Sequence, residues 1–287
     1  MFITIIDGLS LGAIYALIAL GYTMVYGIAK LLNFAHGDVI MVGAYTVFVT
    51  LSISRSIGAM VLAVIIPVII CVALGIIIER FAYRPLRGAS PLAVLITAIG
   101  VSYLLQGISH WQFGVDDRAV DFKIPGNIAG VNVYTIVTLL VAAVIMIALT
   151  LFVKKTKTGR AMVAVSEDRD AAKLMGINVN FIIMVTFAIG SALAACAGIF
   201  YLMQIPVVKP TLGSMPGIKA FTAAVIGGIG SIPGAMVGGI LLGLVENICK
   251  SIPALQSYTV AIQFSLLIII LLIKPSGLLG KKRNEKV

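Results

Sequence analysis

The sequence predicts an all-α polytopic membrane protein with eight or nine transmembrane or partly spanning helices. Three observations predict it. First, 60% of the 287 residues are hydrophobic and 11% charged, with a mean hydropathy of +1.12; a soluble domain carries about 25% charged residues. Second, runs of roughly 20 apolar residues recur, each about 30 Å as a helix and long enough to cross a bilayer. Third, the ~10-residue alternating segments of a membrane β-barrel are absent. In lipid every backbone N–H and C=O needs a partner, and a helix supplies it within one run.

The elements follow in order. The opening stretch "MFITIIDGLSLGAIYALIALGYTMVYG" lacks a basic leader and a convincing cleavage site, so residues 5–29 read as a retained first span. Further spans read over 37–54, 58–79, 91–113, 134–153 and 179–205. The run at 217–229 is shorter: it either enters the membrane partway or joins the next run as a broken helix. The last two runs are 233–250 and 259–273. The chain reads as one transmembrane domain, 1–287, interrupted by a polar loop at 114–133 and a charged segment at 154–178.

The net charge of +10 does not point to nucleic acid, because the basic residues sit in short clusters between apolar runs. One set of loops holds fifteen: Lys30; Arg80, Arg84 and Arg87; Lys154, Lys155, Lys157, Arg160, Arg169 and Lys173; and Lys274, Lys281, Lys282, Arg283 and Lys286. The other holds six: Arg55, Arg118, Lys123, Lys209, Lys219 and Lys250. The positive-inside rule then puts the N-terminus outside, the C-terminus in the cytoplasm, loop 114–133 outside and segment 154–178 inside. Cys71, Cys196 and Cys249 lie in or beside apolar runs without a metal-binding spacing and read as small buried hydrophobes. "GLLGKK" at 277–282 has neither the spacing nor the hydroxyl of a phosphate-binding loop, and no HExxH or GxSxG occurs.

Residues 157–178, "KTGRAMVAVSEDRDAAKLMGIN", carry seven of the chain's 32 formal charges. Ser166 is suited to cap a helix over 167–175 whose first turn holds Glu167, Asp168 and Asp170, anions that suit a helix N-terminus. Lys173 falls in the last turn, and Gly176 is placed for the left-handed closing position. Thr158 is suited to cap a shorter turn containing Arg160, Met162 and Val163. The segment would offer Ala171, Ala172, Leu174 and Met175 to a groove on a cytoplasmic partner. The alternative is a solvated loop. Acidic residues are not needed for membrane orientation, yet three cluster at the helix start, which favours docking.

"TGRAMVAVSEDRDAAKLMGINVN" resembles the coupling segment of ABC-importer permeases for branched-chain amino acids. "LNFAHGDVIMVGAY" (32–45) and "AVIGGIGSIPGAMVGGILLG" (224–243) resemble the same family, in order along the whole chain. The resemblance is to its smaller, H-type permease subunit. It implies a heterodimer with a second permease, two cytoplasmic ATPase subunits beneath, and an external solute-binding protein. ATP and Mg would be bound by the ATPases, with no catalytic residue, cofactor or metal in this chain. Gly159, Arg160, Ser166, Glu167, Asp168, Ala171, Ala172 and Gly176 would then form the ATPase coupling set, in a bacterial inner membrane protein that meets lipid and no nucleic acid.

Two glycine-rich breaks are the other candidates. Asn33, His36, Gly37 and Asp38 form one; Gly227, Gly228, Gly230, Pro233 and Gly234 form the second. Such breaks free backbone groups that a pathway or close packing must satisfy, and both readings stand. His36 and Asp38 would pair with each other, or Asp38 would stabilise the following helix N-terminus. Asp7 and Glu246 read as boundary groups solvated at span ends, and Gln106 and Gln263 as either pathway-facing or interhelical. Other solutes carried in the family, such as another amino acid, urea or short amides, remain open. So does a self-sufficient ion-coupled carrier using Asp38, His36 or Glu246.

Overall fold

The first apolar run becomes the centre of the bundle. In the computed structural model, which describes residues 1–31, 33–54, 56–122, 124–128 and 130–280, α1 (Phe2–Ala29) packs against five other helices, and every residue from Leu11 to Leu20 is buried. Around it the chain builds α2 (His36–Ile53), α3 (Ile57–Ile78), α4 (Pro91–Phe113) and α5 (Val133–Lys155). Next come the short α6 (Lys157–Glu167) and α7 (Arg169–Leu174), then α8 (Val179–Gln204), α9 (Ser214–Gly227) and α10 (Ile232–Ser251). The four-residue α11 (Pro253–Gln256) and α12 (Thr259–Ile273) finish the order, making twelve α-helices among the described residues.

Among the described residues seven helices are long and apolar enough to span: α1, α2, α3 with its continuation to Leu86, α4, α5, α8 and α10. At 14 and 15 residues, α9 and α12 reach only about 21–23 Å at 1.5 Å per residue, short of a ~30 Å hydrocarbon core. The sequence-predicted run at 217–229 thus begins three residues earlier and stops at Gly227, separate from α10. Within the most apolar window, 67% of α1 but only 17% of α4 is buried, so α4 is a peripheral helix with an apolar outer surface. α3 and α5 are likewise peripheral.

The centre is held by small residues. A Cβ at Gly243 would stand 2.1 Å from the backbone nitrogen of Gly12, and one at Gly239 would stand 2.4 Å from Ala16. Gly8, Gly12 and Ala16 on α1 therefore face Gly239 and Gly243 on α10 at four-residue spacing, and the two backbones touch. A charged pair ties down the end of α3. Its last turns widen into a π-turn over Glu79–Tyr83, and the Arg87 guanidinium folds back onto the buried Glu79 carboxylate while also donating to Asn180. Burial lowers the Arg87 pKa, and Glu79 beside it opposes that shift.

Two ends can be told apart. At one, Asn247 donates to the Thr4 carbonyl at 2.6 Å and Thr135 donates to Asp7 at 3.2 Å. Loop 114–133 lies at this end. Its β1 (Arg118–Ala119) pairs antiparallel with β4 (Val207–Val208), beyond the loop, and β2 (Asn127–Ile128) with β3 (Val131–Asn132), so the loop contributes to two minimal two-stranded sheets. At the other end lie α6, α7, Arg87 and a turn at 276–280. There the Leu278 and Leu279 amides donate to the Ile226 and Gly227 carbonyls at 2.8 and 2.9 Å, meeting acceptors left over at the end of α9. Of the basic residues used to assign sides, Arg55, Lys123, Lys281, Lys282, Arg283 and Lys286 lie outside the described residues. Lys219 belongs to neither surface: it points into the bundle.

Candidate functional site

The polar segment folds as two helices. Thr156 caps α6, its hydroxyl accepting from the Gly159 amide at 3.0 Å. Gly159 is required by contact: a Cβ there would lie 2.3 Å from the Phe152 carbonyl oxygen, so only glycine lets α6 fold back on the end of α5. Met162 and Val165 share the buried face with Gly159, while Arg160 is exposed. At the junction Asp168 is extended, with φ −150° and ψ 116°, and its Oδ1 accepts from the amides of Asp170 and Ala171 at 2.9 and 3.0 Å. Gly176, at φ +80°, closes α7 in the left-handed conformation, with the Ile177 amide reaching back to the Ala172 carbonyl.

Several expectations are corrected. The single helix over 167–175 is α6 followed by α7, broken at Asp168. Ser166 is no cap: its hydroxyl donates to the Val163 carbonyl at 2.7 Å within the last turn of α6, and Asp168 does the capping. Glu167 ends α6 and does not start a helix. Thr156, not Thr158, caps the first helix, because Thr156 is the residue in extended conformation. Ala172 is only 4% exposed, on the buried side of α7, whereas Leu174 and Met175 are 89% and 82% exposed. Ala171 is exposed as expected.

Arg169 adds a link that composition did not reveal. Its guanidinium donates to the Ala29 carbonyl, in the last turn of the central helix α1. Burial lowers its pKa and the neighbouring Asp170 offsets part of that. α7 is thereby fastened directly to the axis of the bundle.

The first break is fully internal. Tyr83 donates to Asn33 Oδ1 at 2.9 Å, His36 meets Tyr22 edge-on at 4.6 Å, and Gly37 lies against the backbone of Gly213. Asp38 pairs not with His36 but with Gln106, whose Nε2 donates to it at 2.8 Å. Gln106 is thus interhelical, joining α4 to the first turn of α2. Asp38→Asn preserves an acceptor there. It should cost about 1 kcal/mol, against about 1–3 kcal/mol for Asp38→Leu, which takes the acceptor away. Thermal unfolding in detergent reads both, and loss of uptake in a well-folded Asp38→Asn protein would make the charge essential.

The second break is a turn packed on backbone. Gly228 and Gly230 have φ of +106° and +91°, and Gly227 and Gly234 touch main chain to main chain. Ser231 caps α10, accepting from Gly234, and Pro233 sits in the first turn, where its missing N–H costs nothing. The two breaks approach each other around a void of about 10 Å³ lined by Tyr22, Asn33, Phe221 and Ile229 among others, space for one water.

Glu246 overturns the boundary reading. It is 2% exposed and its carboxylate gathers four donors. Tyr15 and Gln263 reach Oε2 at 2.7 and 2.9 Å, and Lys219 and Lys250 reach Oε1 at 2.8 and 2.7 Å. Gln263 therefore serves an interhelical bond as well. The available signal was an ionisable residue within an apolar run, which is costly unless paired. This cluster borders a cavity of about 280 Å³ between α1, α8, α9 and α10, at the end away from α6 and α7. No group of three or more His, Cys, Asp or Glu side chains converges as a metal site among the described residues.

Comparison with known proteins agrees along the full length. Residues 4–271 match the family model described as "Branched-chain amino acid transport system / permease component". The high-affinity branched-chain amino acid transport system permease protein BraD of Pseudomonas aeruginosa is 43% identical over 99% of this chain and 97% of its own. The corresponding protein LivH of Escherichia coli K12 is 41% identical over 98% and 96%. A probable branched-chain amino acid transport permease protein LivH of Methanocaldococcus jannaschii is 28% identical over 92% and 88%. With seven membrane-length helices and this near-complete match, the chain belongs to the permease component family of branched-chain amino acid transport systems.

Proposed function

We propose that the chain is the H-type translocation subunit of a high-affinity, ATP-driven importer of branched-chain amino acids. It is a multi-pass membrane permease and performs no catalysis itself. In this reading it pairs with a second permease subunit, and an external binding protein delivers leucine, isoleucine or valine to the end bearing loop 114–133. Two ATPases, holding ATP and Mg, dock at the end bearing α6 and α7, which faces the cytoplasm. The N-terminus is then outside and the C-terminus inside. The excess of basic residues near α6, α7 and Arg87 supports that sidedness.

One observation carries the coupling reading: the end of α7 and the residue after it expose Leu174 and Met175 to solvent while Arg169, on the same short helix, grips the end of α1. A displaced ATPase surface would move α7, and α7 would move the central helix of the bundle. Gly159, Arg160, Ser166, Glu167, Asp168, Ala171 and Gly176 shape that lever, and Ala172 seats it. The two glycine breaks are candidate hinges or pathway walls beside it. Replacing Leu174 and Met175 together with aspartate should lower uptake and substrate-stimulated ATP hydrolysis at least about tenfold, as loss of a ≥1.4 kcal/mol apolar anchor would. The assay is the reconstituted complex in proteoliposomes. Uptake unchanged in the double variant would sink the docking role.

A further inference from the structure

The cavity beside Glu246 is bordered by more positive than negative charge. Its polar wall holds Lys219 and Lys250, both on one carboxylate oxygen of Glu246, so two ammonium groups face a single anion and the cluster carries one surplus positive charge. Each ammonium has three N–H donors, and neither exhausts them on Glu246. Gln204 also lines the cavity, partly exposed, with its Oε1 turned inward and without a donor among the described residues. A buried acceptor without a donor is costly and calls for one. The rest of the wall includes Leu11, Ile205, Met215 and Pro216, which are apolar. At about 280 Å³ the space is some twenty times the ~10–15 Å³ that holds one water.

We infer that this cavity is a low-affinity recognition site for a free amino acid, with Lys250 and Lys219 receiving the carboxylate and the Gln204 side-chain amide, after rotating to present its oxygen, receiving the ammonium group. The inference rests on the importer reading for the identity of the solute. The spare positive charge meets the carboxylate, the Gln204 oxygen, once turned to the cavity, meets the ammonium donors, and the apolar wall meets an aliphatic side chain. Lys219 is largely buried against Glu246, so the half-exposed Lys250 is the adjustable contact. Weak binding follows from the competition: both lysines are already partly neutralised by Glu246. A translocation site needs that weakness, since a tight one would not release its solute.

The test is equilibrium binding of radiolabelled leucine to the purified permease–ATPase complex in detergent, without the external binding protein. Leucine should bind saturably. Lys250→Gln and Gln204→Leu should each weaken it at least about tenfold, the loss expected for one hydrogen bond to a charged group. Lys250→Arg should restore most of it. 4-Methylpentanoate, lacking the ammonium, and 3-methylbutylamine, lacking the carboxylate, should each compete at least tenfold less well than leucine, by the same estimate. Absence of saturable binding, or binding within about twofold of the unaltered complex in both Lys250→Gln and Gln204→Leu, overturns the site. ATP-dependent leucine uptake by the unaltered complex with its binding protein separates the two levels. If that uptake is present and the variants bind normally, only the cavity assignment fails; if uptake itself is absent, the importer reading fails.

Discussion

Valine at position 243 should prevent the permease from accumulating in folded form. The Cβ it introduces has nowhere to go: 2.1 Å away is the main-chain nitrogen of Gly12, and 2.8 Å away the carbonyl oxygen of Gly8. Both are backbone atoms of the central helix, so no side chain can swing aside. The helices α1 and α10 must separate, and their Gly239–Ala16 contact opens with them. Overpacking in a side-chain core costs about 1–3 kcal/mol; here the obstacle is main chain, and the loss should reach or exceed the top of that range. Gly100 on α4 is the control, because a Cβ there meets nothing within 4 Å. Gly100→Ala should be neutral or stabilise by up to ~1 kcal/mol through helix propensity. Yield of membrane-inserted protein and its melting temperature in detergent read both variants, and a Gly243→Val protein as stable as the unaltered one would refute the close-packed centre.

Glu246→Leu should be nearly as damaging, for an electrostatic reason. The carboxylate is the shared partner of Lys219 and Lys250, and of the Tyr15 hydroxyl and the Gln263 amide. Its removal leaves the Lys219 ammonium, 11% exposed, without a counter-charge inside an apolar bundle. Stranding one member of a buried ion pair costs about 3–5 kcal/mol, whereas replacing both members by apolar residues is often neutral. The double variant Glu246→Leu with Lys219→Met should therefore recover most of the lost stability. A double-mutant cycle on thermal unfolding measures the coupling between the two positions. Additive losses would mean that the pair does not stabilise the bundle as a unit.

Sequence made the spans legible because the force that inserts them is the quantity that hydropathy measures. The expected runs 91–113 and 179–205 differ by at most one residue from Pro91–Phe113 and Val179–Gln204. Gly176 was legible for a local reason, since a helix that ends in the left-handed region favours glycine. The cap two residues past Ser166 was not. Serine and aspartate both cap well, and only the fold decides which backbone extends. Longer-range contacts were invisible in principle. Arg169 and Ala29 are 140 residues apart, and Tyr15 and Glu246 are 231. Lys219 read as a surface marker because its position in the sequence does not show that a glutamate on another helix draws it inward.

The turn that follows the last apolar helix has a mechanical consequence. By donating the Leu278 and Leu279 amides to the final carbonyls of α9, it stitches the tail of α12 to the foot of a helix too short to span. Any tilt of α9 must drag α12 along, so the two travel as one plank rather than as separate rods.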